Sequence, residues 1–319
     1  MAKTQTGRGR HGPSAKGRRG TTSRKRQPLP WYRRYAWLAW VAGLALVAAM
    51  IVLLRAGQGD VPSPAAGLST PVVGEDLHSL VVDPTDPDKL YIGSHQGVSV
   101  STDGGQTWKV EESLDGADAM GWAFTDGAIL VGGHPGISVS TDNDATFEQR
   151  NDELPSTDVH ALGAGKDVIY AGLAGVGTFA STDGGRSWEM RNEETGAAFM
   201  GRILVDPADD EHVVAPDMQG GAMESTDGGR TWEALGGVPG TIWVSWDEGD
   251  TDHIIVTGID STAESTDGGA SWQPFAIPDG ASIVEFSLHD PEVLYAAVLR
   301  APEALVYVSE DGGATWTRP

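Results

Sequence analysis

An eight-residue sequence, typified by Ser-Thr-Asp-Gly-Gly-Arg-Thr-Trp at 225–232, recurs along this chain and constrains its fold more than any other feature. Close copies begin at Ser101, Ser181, Ser265 and Ser309, and a divergent copy begins at Ser140. Successive copies start 39 to 44 residues apart. A period near 40 residues indicates one supersecondary unit, repeated six times, in which each unit buries its apolar face against the next.

Each octapeptide is typical of a β-hairpin turn, because an Asp-Gly-Gly cluster separates two strand-like runs such as 97–100 and 108–111. The Asp carboxylate can accept backbone N–H groups of the turn, and glycine supplies positive φ. In the divergent copy Asn143 and Asp144 replace the glycines, and both tolerate the left-handed region. The octapeptides are therefore predicted to be structural through Asp103, Asp142, Asp183, Asp227, Asp267 and Asp311 and the rings of Trp108, Phe147, Trp188, Trp232, Trp272 and Trp316.

These units resemble the Asp-box, or BNR, repeat of sialidases, sortilin-type receptors and photosystem-assembly propellers. Five copies keep Ser-x-Asp-Gly-Gly-x-Ser/Thr-Trp, and the resemblance covers residues 75–319. It implies an all-β, six-bladed β-propeller of four-stranded antiparallel blades, with the boxes on the outer rim, away from the ligand. The blades are predicted to start near His78, Met120, His160, Gly201, Ile242 and Ile283.

The residues before the propeller predict a membrane anchor. Residues 1–34 hold 11 of the 22 basic residues and no acid, whereas all 45 acids lie at or beyond Asp60. Residues 35–54 are 20 uncharged residues, long enough to cross a bilayer as one helix. The basic tail places the N-terminus in the cytoplasm and the propeller outside it. A cleaved signal peptide is the alternative, but the full length of the span and Arg55 directly after it favour a retained anchor.

Residues 55–74 are predicted to be a Pro- and Gly-rich linker between this single-pass membrane helix and the propeller. The sixth repeat ends three residues after Trp316, so its outer strand is short. We therefore expect the stretch Ser69 to Val73 to pair with the last blade and close the ring, since an open ring leaves a sheet edge unpaired. With no Cys in the chain, no disulfide can contribute to this closure.

Aligning the repeats predicts where ligand-binding side chains lie. His78 and His160 fall at equivalent positions on first strands, and His95 and His134 fall at equivalent positions in the loops after second strands. These four imidazoles could bind a metal or act as acid or base. No local ligand spacing supports a metal, so we expect neither a metal nor a cofactor.

Trp122, Trp243 and Arg202, all on predicted first strands, are further ligand-binding candidates. Trp243 and Trp246 are three residues apart and point to opposite faces of their strand, so at most one of them contacts a ligand. Core packing between blades is the alternative for each tryptophan.

A sialidase-like reaction needs an arginine triad, and apart from arginines in the boxes, just after them or at the terminus, the propeller offers only Arg202 and Arg300. A glycosidase acting on a neutral sugar would need two carboxylates that flank a bond. No pair stands out among the available acids, which include Asp76, Asp118, Asp158, Asp217, Asp260 and Glu285.

The sequence therefore predicts a membrane-anchored, extracytoplasmic module that binds a protein or a glycan, with its catalytic residues, if any, unknown. The strongly acidic propeller argues against nucleic acid as a partner. The alternative function is a glycoside hydrolase of the sialidase-like superfamily with its site at the channel mouth. Two or three buried carboxylates beside Arg202 or His78 would favour the enzyme, and a simply hydrogen-bonded channel would favour binding.

Overall fold

Six sheets of sequential antiparallel strands, one for each sequence repeat, form a six-bladed β-propeller in the computed structural model, which describes residues 70–196 and 198–319. The strands of the first three blades are β1 (Ser79–Asp83), β2 (Asp86–Ser94), β3 (Gly97–Ser101) and β4 (Lys109–Val110); β5 (Gly121–Thr125), β6 (Ala128–Gly133), β7 (Gly136–Ser140) and β8 (Glu148–Gln149); and β9 (Val159–Ala164), β10 (Ile169–Leu173), β11 (Gly177–Ser181) and β12 (Glu189–Asn192). A short 3-10 helix, Glu112–Leu114, follows blade 1.

The two-residue strand β13 (Gly201–Arg202) precedes blade 4 and joins the sheet of blade 3. Blades 4 and 5 repeat the four-strand order with β14 (Leu204–Asp206), β15 (Asp209–Asp217), β16 (Gly221–Ser225) and β17 (Glu233–Gly236), and with β18 (Thr241–Asp247), β19 (Asp250–Gly258), β20 (Thr262–Ser265) and β21 (Gln273–Pro274). Blade 6 has three strands, β22 (Ala281–Ser287), β23 (Asp290–Arg300) and β24 (Glu303–Ser309). Every predicted blade start lies within three residues of the start of an observed first strand.

The blades change from apolar to polar between their first and fourth strands. All five residues of β1 are buried, whereas both residues of β4 are exposed. First strands therefore pack on both faces, and fourth strands meet water. Because neighbouring strands are antiparallel, their connections alternate between the two ends of a blade. We call the end with the first-to-second-strand turns and the boxes the turn face, and the end with the second-to-third-strand loops and the connections between blades the loop face.

The six boxes share one hydrogen-bond pattern. In each box the serine hydroxyl donates to the aspartate Oδ1 at 2.8 Å. The same carboxylate accepts the backbone N–H and the hydroxyl of the Ser or Thr four residues later, as Asp227 does from Thr231 at 2.8 and 2.7 Å. Gly228 and Gly229 have φ values of 70° and 77°, so glycine is favoured at both positions.

The divergent box keeps this geometry and adds a contact that the sequence did not reveal. Asn143 and Asp144 both have φ of 61°, as predicted for residues that replace the glycines. The Asp144 carboxylate also accepts from Lys89 Nζ at 2.7 Å and from Tyr91 Oη at 3.3 Å. The substitution at this position therefore links blade 2 to blade 1.

The box rings pack between neighbouring blades. Trp272 donates its indole N–H to the carbonyl of Leu235 in blade 4, and Trp316 donates to Ala276, just after blade 5. Trp232 meets Phe199 edge to face at 4.8 Å, in the apolar cluster between blades 3 and 4. These contacts place each ring against the preceding repeat.

The ring closes through both ends of the propeller, which confirms the predicted pairing for its described part. Val72 forms an antiparallel bridge with Glu303, and the Val73 N–H donates to the Pro302 carbonyl at 3.0 Å. At the other end of β24, Val308 and Thr317 exchange backbone hydrogen bonds of 2.8 and 2.9 Å. The two chain ends thus share the outer edge of blade 6.

The predicted tail, the membrane span at 35–54 and most of the linker lie outside the described residues. In the part that is described, no helix has the length and apolarity needed to cross a membrane.

Candidate functional site

Seven titratable side chains from blades 1 to 3 and their connections form a continuous row on the loop face. We call them the histidine row: Asp76, His78, His95, Asp118, His134, Asp158 and His160. All four histidines predicted to lie near one another belong to it. The loops after the second strands supply His95 and His134, and the residues at or just before the first strands supply the others.

The first half of the row lies on blade 1. His95 Nδ1 contacts Asp76 Oδ2, and the Asp76 Oδ1 atom accepts the His95 backbone N–H at 3.0 Å. His78 Nε2 lies 3.8 Å from the same Asp76 Oδ2. The two imidazoles meet edge to face, with centroids 4.4 Å apart.

The second half lies between blades 2 and 3. Asp158 Oδ1 is 2.8 Å from His134 Nε2 and 2.7 Å from His160 Nε2. The His134 and His160 rings also meet edge to face, at 5.7 Å. One carboxylate oxygen is thus shared by two imidazole nitrogens.

Asp118 joins the two halves. Its Oδ2 lies 3.0 Å from His134 Nδ1 and 3.2 Å from His95 Nε2, and its side chain is 7% exposed. A close approach of backbones places it there, because a Cβ at Gly133 would lie 1.3 Å from the Asp118 carbonyl oxygen. Its N–H donates to the His134 carbonyl at 3.1 Å.

Electrostatics couple the members of the row. Burial alone would raise the pKa of Asp118, but the adjacent His78, His134 and His95 imidazoles lower it below its ordinary value. The hydrogen bond with Asp118 raises the pKa of His134, and the negative charge of Asp158 acts in the same direction. The Asp118–His134 pair therefore favours the charged forms of both partners.

A second candidate region lies on the axis at the turn face. A cavity of about 680 Å³ opens there, with walls from all six blades. Its lining includes Asp83, Trp122, Ala164, Arg202, Glu248 and Leu288.

Arg202 is held between two blades. Its strand β13 pairs in parallel with β9 of blade 3, not with the strands of blade 4. Its Nη1 donates to Glu285 Oε1 at 2.6 Å, and its Nη2 lies 3.5 Å from Glu248 Oε1. Burial raises the pKa of Glu285, even though the Arg202 guanidinium is adjacent.

The two tryptophan candidates belong to the core. Trp122 and Trp243 both have 0% exposure. Trp122 Nε1 donates to Ser79 Oγ at 2.8 Å, and Trp243 Nε1 donates to Glu285 Oε2 at 2.8 Å. Trp243 and Trp246 lie in different apolar clusters, which fits their predicted opposite faces.

Sequence reasoning named the three aspartates of the row as available acids without pairing them with the histidines. The repeat register carries the missing signal, because Asp76, Asp118 and Asp158 each stand two residues before the same first-strand position. That position is His78, Met120 or His160 in the three repeats. Aligning the acids as well as the histidines would have predicted the histidine row.

The geometry defines this protein as a six-bladed β-propeller with a titratable row on its loop face. The BNR/Asp-box repeat family matches residues 99–110. The chain is a β-propeller that carries the BNR/Asp-box repeat. No curated protein sequence matches it.

Several solved structures have similar folds. A GH74 xyloglucanase from Xanthomonas campestris aligns with a TM-score of 0.55 and 18% identity, over 79% of this chain and 46% of the enzyme. YCF48 bound to D1 peptide aligns at 0.53 and 16%, over 79% and 83%. A chain of the nidogen/laminin complex aligns at 0.56 and 10%, over 72% and 93%. This chain spans under half of the xyloglucanase, and identities this low establish the fold alone.

Proposed function

We propose that this protein is a membrane-anchored, extracytoplasmic binding module whose protein or glycan partner docks on the loop face, at the histidine row. The observation that carries the proposal is the row itself, in which side chains from three blades converge on one accessible surface. His95 and His134 have side chains that are 54% and 53% exposed, so a partner can reach them.

The axial cavity supports binding over hydrolysis. Glycosidases need a carboxyl group of raised pKa that reaches the substrate. Glu285 has a raised pKa, but it is fully buried and bonded to both Arg202 and Trp243. Glu285, the acid of raised pKa near the cavity, is therefore engaged in the core.

Glycoside hydrolysis is the second candidate, favoured by the three carboxylates that accompany His78 in the row and by the fold shared with a xyloglucanase. Against it, the environment of Asp118 lowers its pKa, whereas a general acid needs the opposite shift. A partner of the peptide or protein kind fits the fold shared with YCF48 bound to D1 peptide and with the nidogen/laminin complex.

Two exposed glutamines of blade 1 provide a matched test of the docking face. Gln96 lies in the β2–β3 loop beside the row, and Gln106 lies in the box at the other end of the same blade. A photo-crosslinking residue at each position in the full-length protein, expressed in its own host, reports what touches each face. We expect a discrete crosslinked product from position 96 and none from position 106. Equal products from both positions, or a product from 106 alone, would refute docking on the loop face.

Hydrolysis is tested separately on a panel of chromogenic glycosides. We expect no turnover by the full-length protein. Turnover that disappears in Asp118→Asn would establish the second candidate instead.

The absence of cysteine from the chain allows a clean test of the proposed topology. Gln5→Cys places a thiol in the basic tail, and Gln106→Cys places one on the propeller. A membrane-impermeant maleimide is expected to label Gln106→Cys in intact cells and Gln5→Cys only after permeabilisation. The reverse pattern would overturn the proposed orientation.

A further inference from the structure

We propose that the histidine row binds two divalent transition-metal cations of the Zn²⁺ class, one at Asp76, His78 and His95 and one at His134, Asp158 and His160. This goes beyond the proposed binding function, since cation binding does not depend on the identity of the partner. In each triad the three candidate ligand atoms lie within 4.8 Å of one another.

The donor set suits such cations. Two imidazole nitrogens and one carboxylate oxygen are typical zinc ligands, with Zn–N and Zn–O distances near 2.0–2.2 Å. Donors on a tetrahedral ion are then roughly 3.4 Å apart. The corresponding separations are 2.8 Å for His134 Nε2 to Asp158 Oδ1 and 3.8 Å for His78 Nε2 to Asp76 Oδ2. His160 Nε2 to Asp158 Oδ1, at 2.7 Å, is also shorter than that value, so the donors of the second triad must move apart by roughly 0.6 Å to hold an ion.

Unpartnered polar atoms supply an independent observation. His78 Nε2, Asp118 Oδ1 and Asp158 Oδ1 are buried, and none of them has a hydrogen-bond partner. His78 Nε2 and Asp118 Oδ1 are 3.2 Å apart, yet they do not align as donor and acceptor. The Asp118 side chain is 7% exposed and therefore 93% buried. Buried polar groups without partners are rare in native proteins, and a bound water or ion commonly satisfies them.

Asp118 is placed to orient one histidine of each metal-binding triad without being a metal ligand itself. Its Oδ2 faces His95 Nε2 and His134 Nδ1, the ring nitrogens opposite those that face Asp76 and Asp158. Histidines that bind a metal commonly donate their other N–H to a carboxylate, which fixes the tautomer and the ring orientation. One carboxylate therefore positions a ligand in each triad.

The charge of the row also suits a cation. Its three carboxylates pair with imidazoles only, and within residues 70–196 and 198–319 no Lys or Arg forms an ion pair with them. By contrast, Lys89 lies 2.7 Å from Asp144 at the turn face. A metal binds the neutral imidazole, so bound cations would replace the protons of the histidines and compensate the three carboxylates.

Calorimetric titration of the EDTA-treated full-length protein in detergent with Zn²⁺ tests the assignment. We expect two equivalents for the unaltered protein and one each for His95→Ala and His134→Ala. His253→Ala is the matched control, because His253 also contacts a carboxylate, Glu264 at 2.7 Å, but lies on blade 5. It should retain two equivalents. Ca²⁺ should not compete, since it prefers sites built from oxygen ligands.

Asp118→Asn separates a positioning role from a merely structural one. We expect both equivalents to persist with affinity lowered roughly 10- to 100-fold, and thermal unfolding of the metal-free protein to stay unchanged. Co²⁺ substitution gives a second readout, because its visible absorption reports the ligand set directly.

Absence of Zn²⁺ binding, or Zn²⁺ binding that survives both His95→Ala and His134→Ala, would overturn the proposal. A single equivalent that disappears in either variant would overturn the two-ion assignment. None of these outcomes bears on the Gln96 crosslink, so the two proposals fail separately.

Discussion

The turn face and the loop face of this propeller differ in how their polar side chains are hydrogen-bonded. At the turn face, six boxes repeat one hydrogen-bond pattern, with the serine-to-aspartate distance at 2.8 Å in every copy. At the loop face, blades 1 to 3 gather a row of imidazoles and carboxylates, in which buried polar atoms have no hydrogen-bond partner. The box serines and carboxylates are all hydrogen-bonded within their own turns, whereas two carboxylate oxygens and one imidazole nitrogen of the row are not hydrogen-bonded.

This difference separates structure from function within a single repeat. A box aspartate has its acceptor capacity filled by its own turn, so it contributes to the fold and leaves nothing to offer a ligand. A row residue such as Asp158 faces two imidazoles with one oxygen and remains available to a further partner. Substitutions in the two faces should therefore affect different properties.

The largest effect on stability is expected at the buried Arg202–Glu285 pair, which lies between the two faces. Glu285→Ala leaves the Arg202 guanidinium without its partner at 2.6 Å and should lower the free energy of unfolding by about 3–5 kcal/mol. Glu248→Ala is the matched control, because it removes the more exposed partner at 3.5 Å and should cost under about 1 kcal/mol. Urea denaturation measures both. Equal losses would show that burial does not set the strength of these pairs.

A smaller effect should distinguish the faces directly. Asp227→Ala removes the acceptor for Ser225, Arg230 and Thr231 and should destabilise the protein by about 2 kcal/mol, while Zn²⁺ binding is retained. Asp158→Asn should change stability by about 0.5 kcal/mol or less and abolish one equivalent of Zn²⁺. Thermal unfolding and calorimetry on the same two variants test this. Loss of Zn²⁺ binding in Asp227→Ala would remove the distinction between the faces.

The smallest effect concerns acid. Burial would raise the pKa of Asp227, but hydrogen bonds from Thr231 and Ser225 lower it from 3.8 to about 2. A carboxyl group with a depressed pKa in the folded state stabilises the protein above its unfolded pKa, and that contribution is lost as pH falls through the folded pKa. The melting temperature should therefore fall between pH 4 and pH 2, and less steeply in Asp227→Asn than in the unaltered protein. Parallel curves for the two proteins would contradict the assignment.

Most of the fold could be predicted because short stretches of sequence determine it, and those stretches recur six times. Each box carries its turn chemistry in eight consecutive residues, and even the divergent copy kept residues that tolerate φ near 60°. The ring closure near Val72 could be anticipated because the last repeat is short. The Lys89–Asp144 contact could not, because it joins side chains 55 residues apart.

The candidate site was predicted only in part, for the same reason. The repeat register brought the four histidines to one face, but it did not pair them with Asp76, Asp118 and Asp158. Trp122, Trp243 and Arg202 share first-strand positions with the histidines, yet they lie in the core or beside the axial cavity. The repeat period shows which positions are equivalent in successive blades. It does not show where along a strand a side chain lies or which residues bury it.

The sequence by itself determined the repeated hairpin turn, the number of blades and the strand order, because these depend on residues close together in the chain. Only the tertiary structure decided that three aspartates and four histidines meet across blades 1 to 3, and that Glu285 is enclosed by Arg202 and Trp243. Those contacts arise from the curvature of the closed ring, which brings residues about 40 positions apart within hydrogen-bond distance.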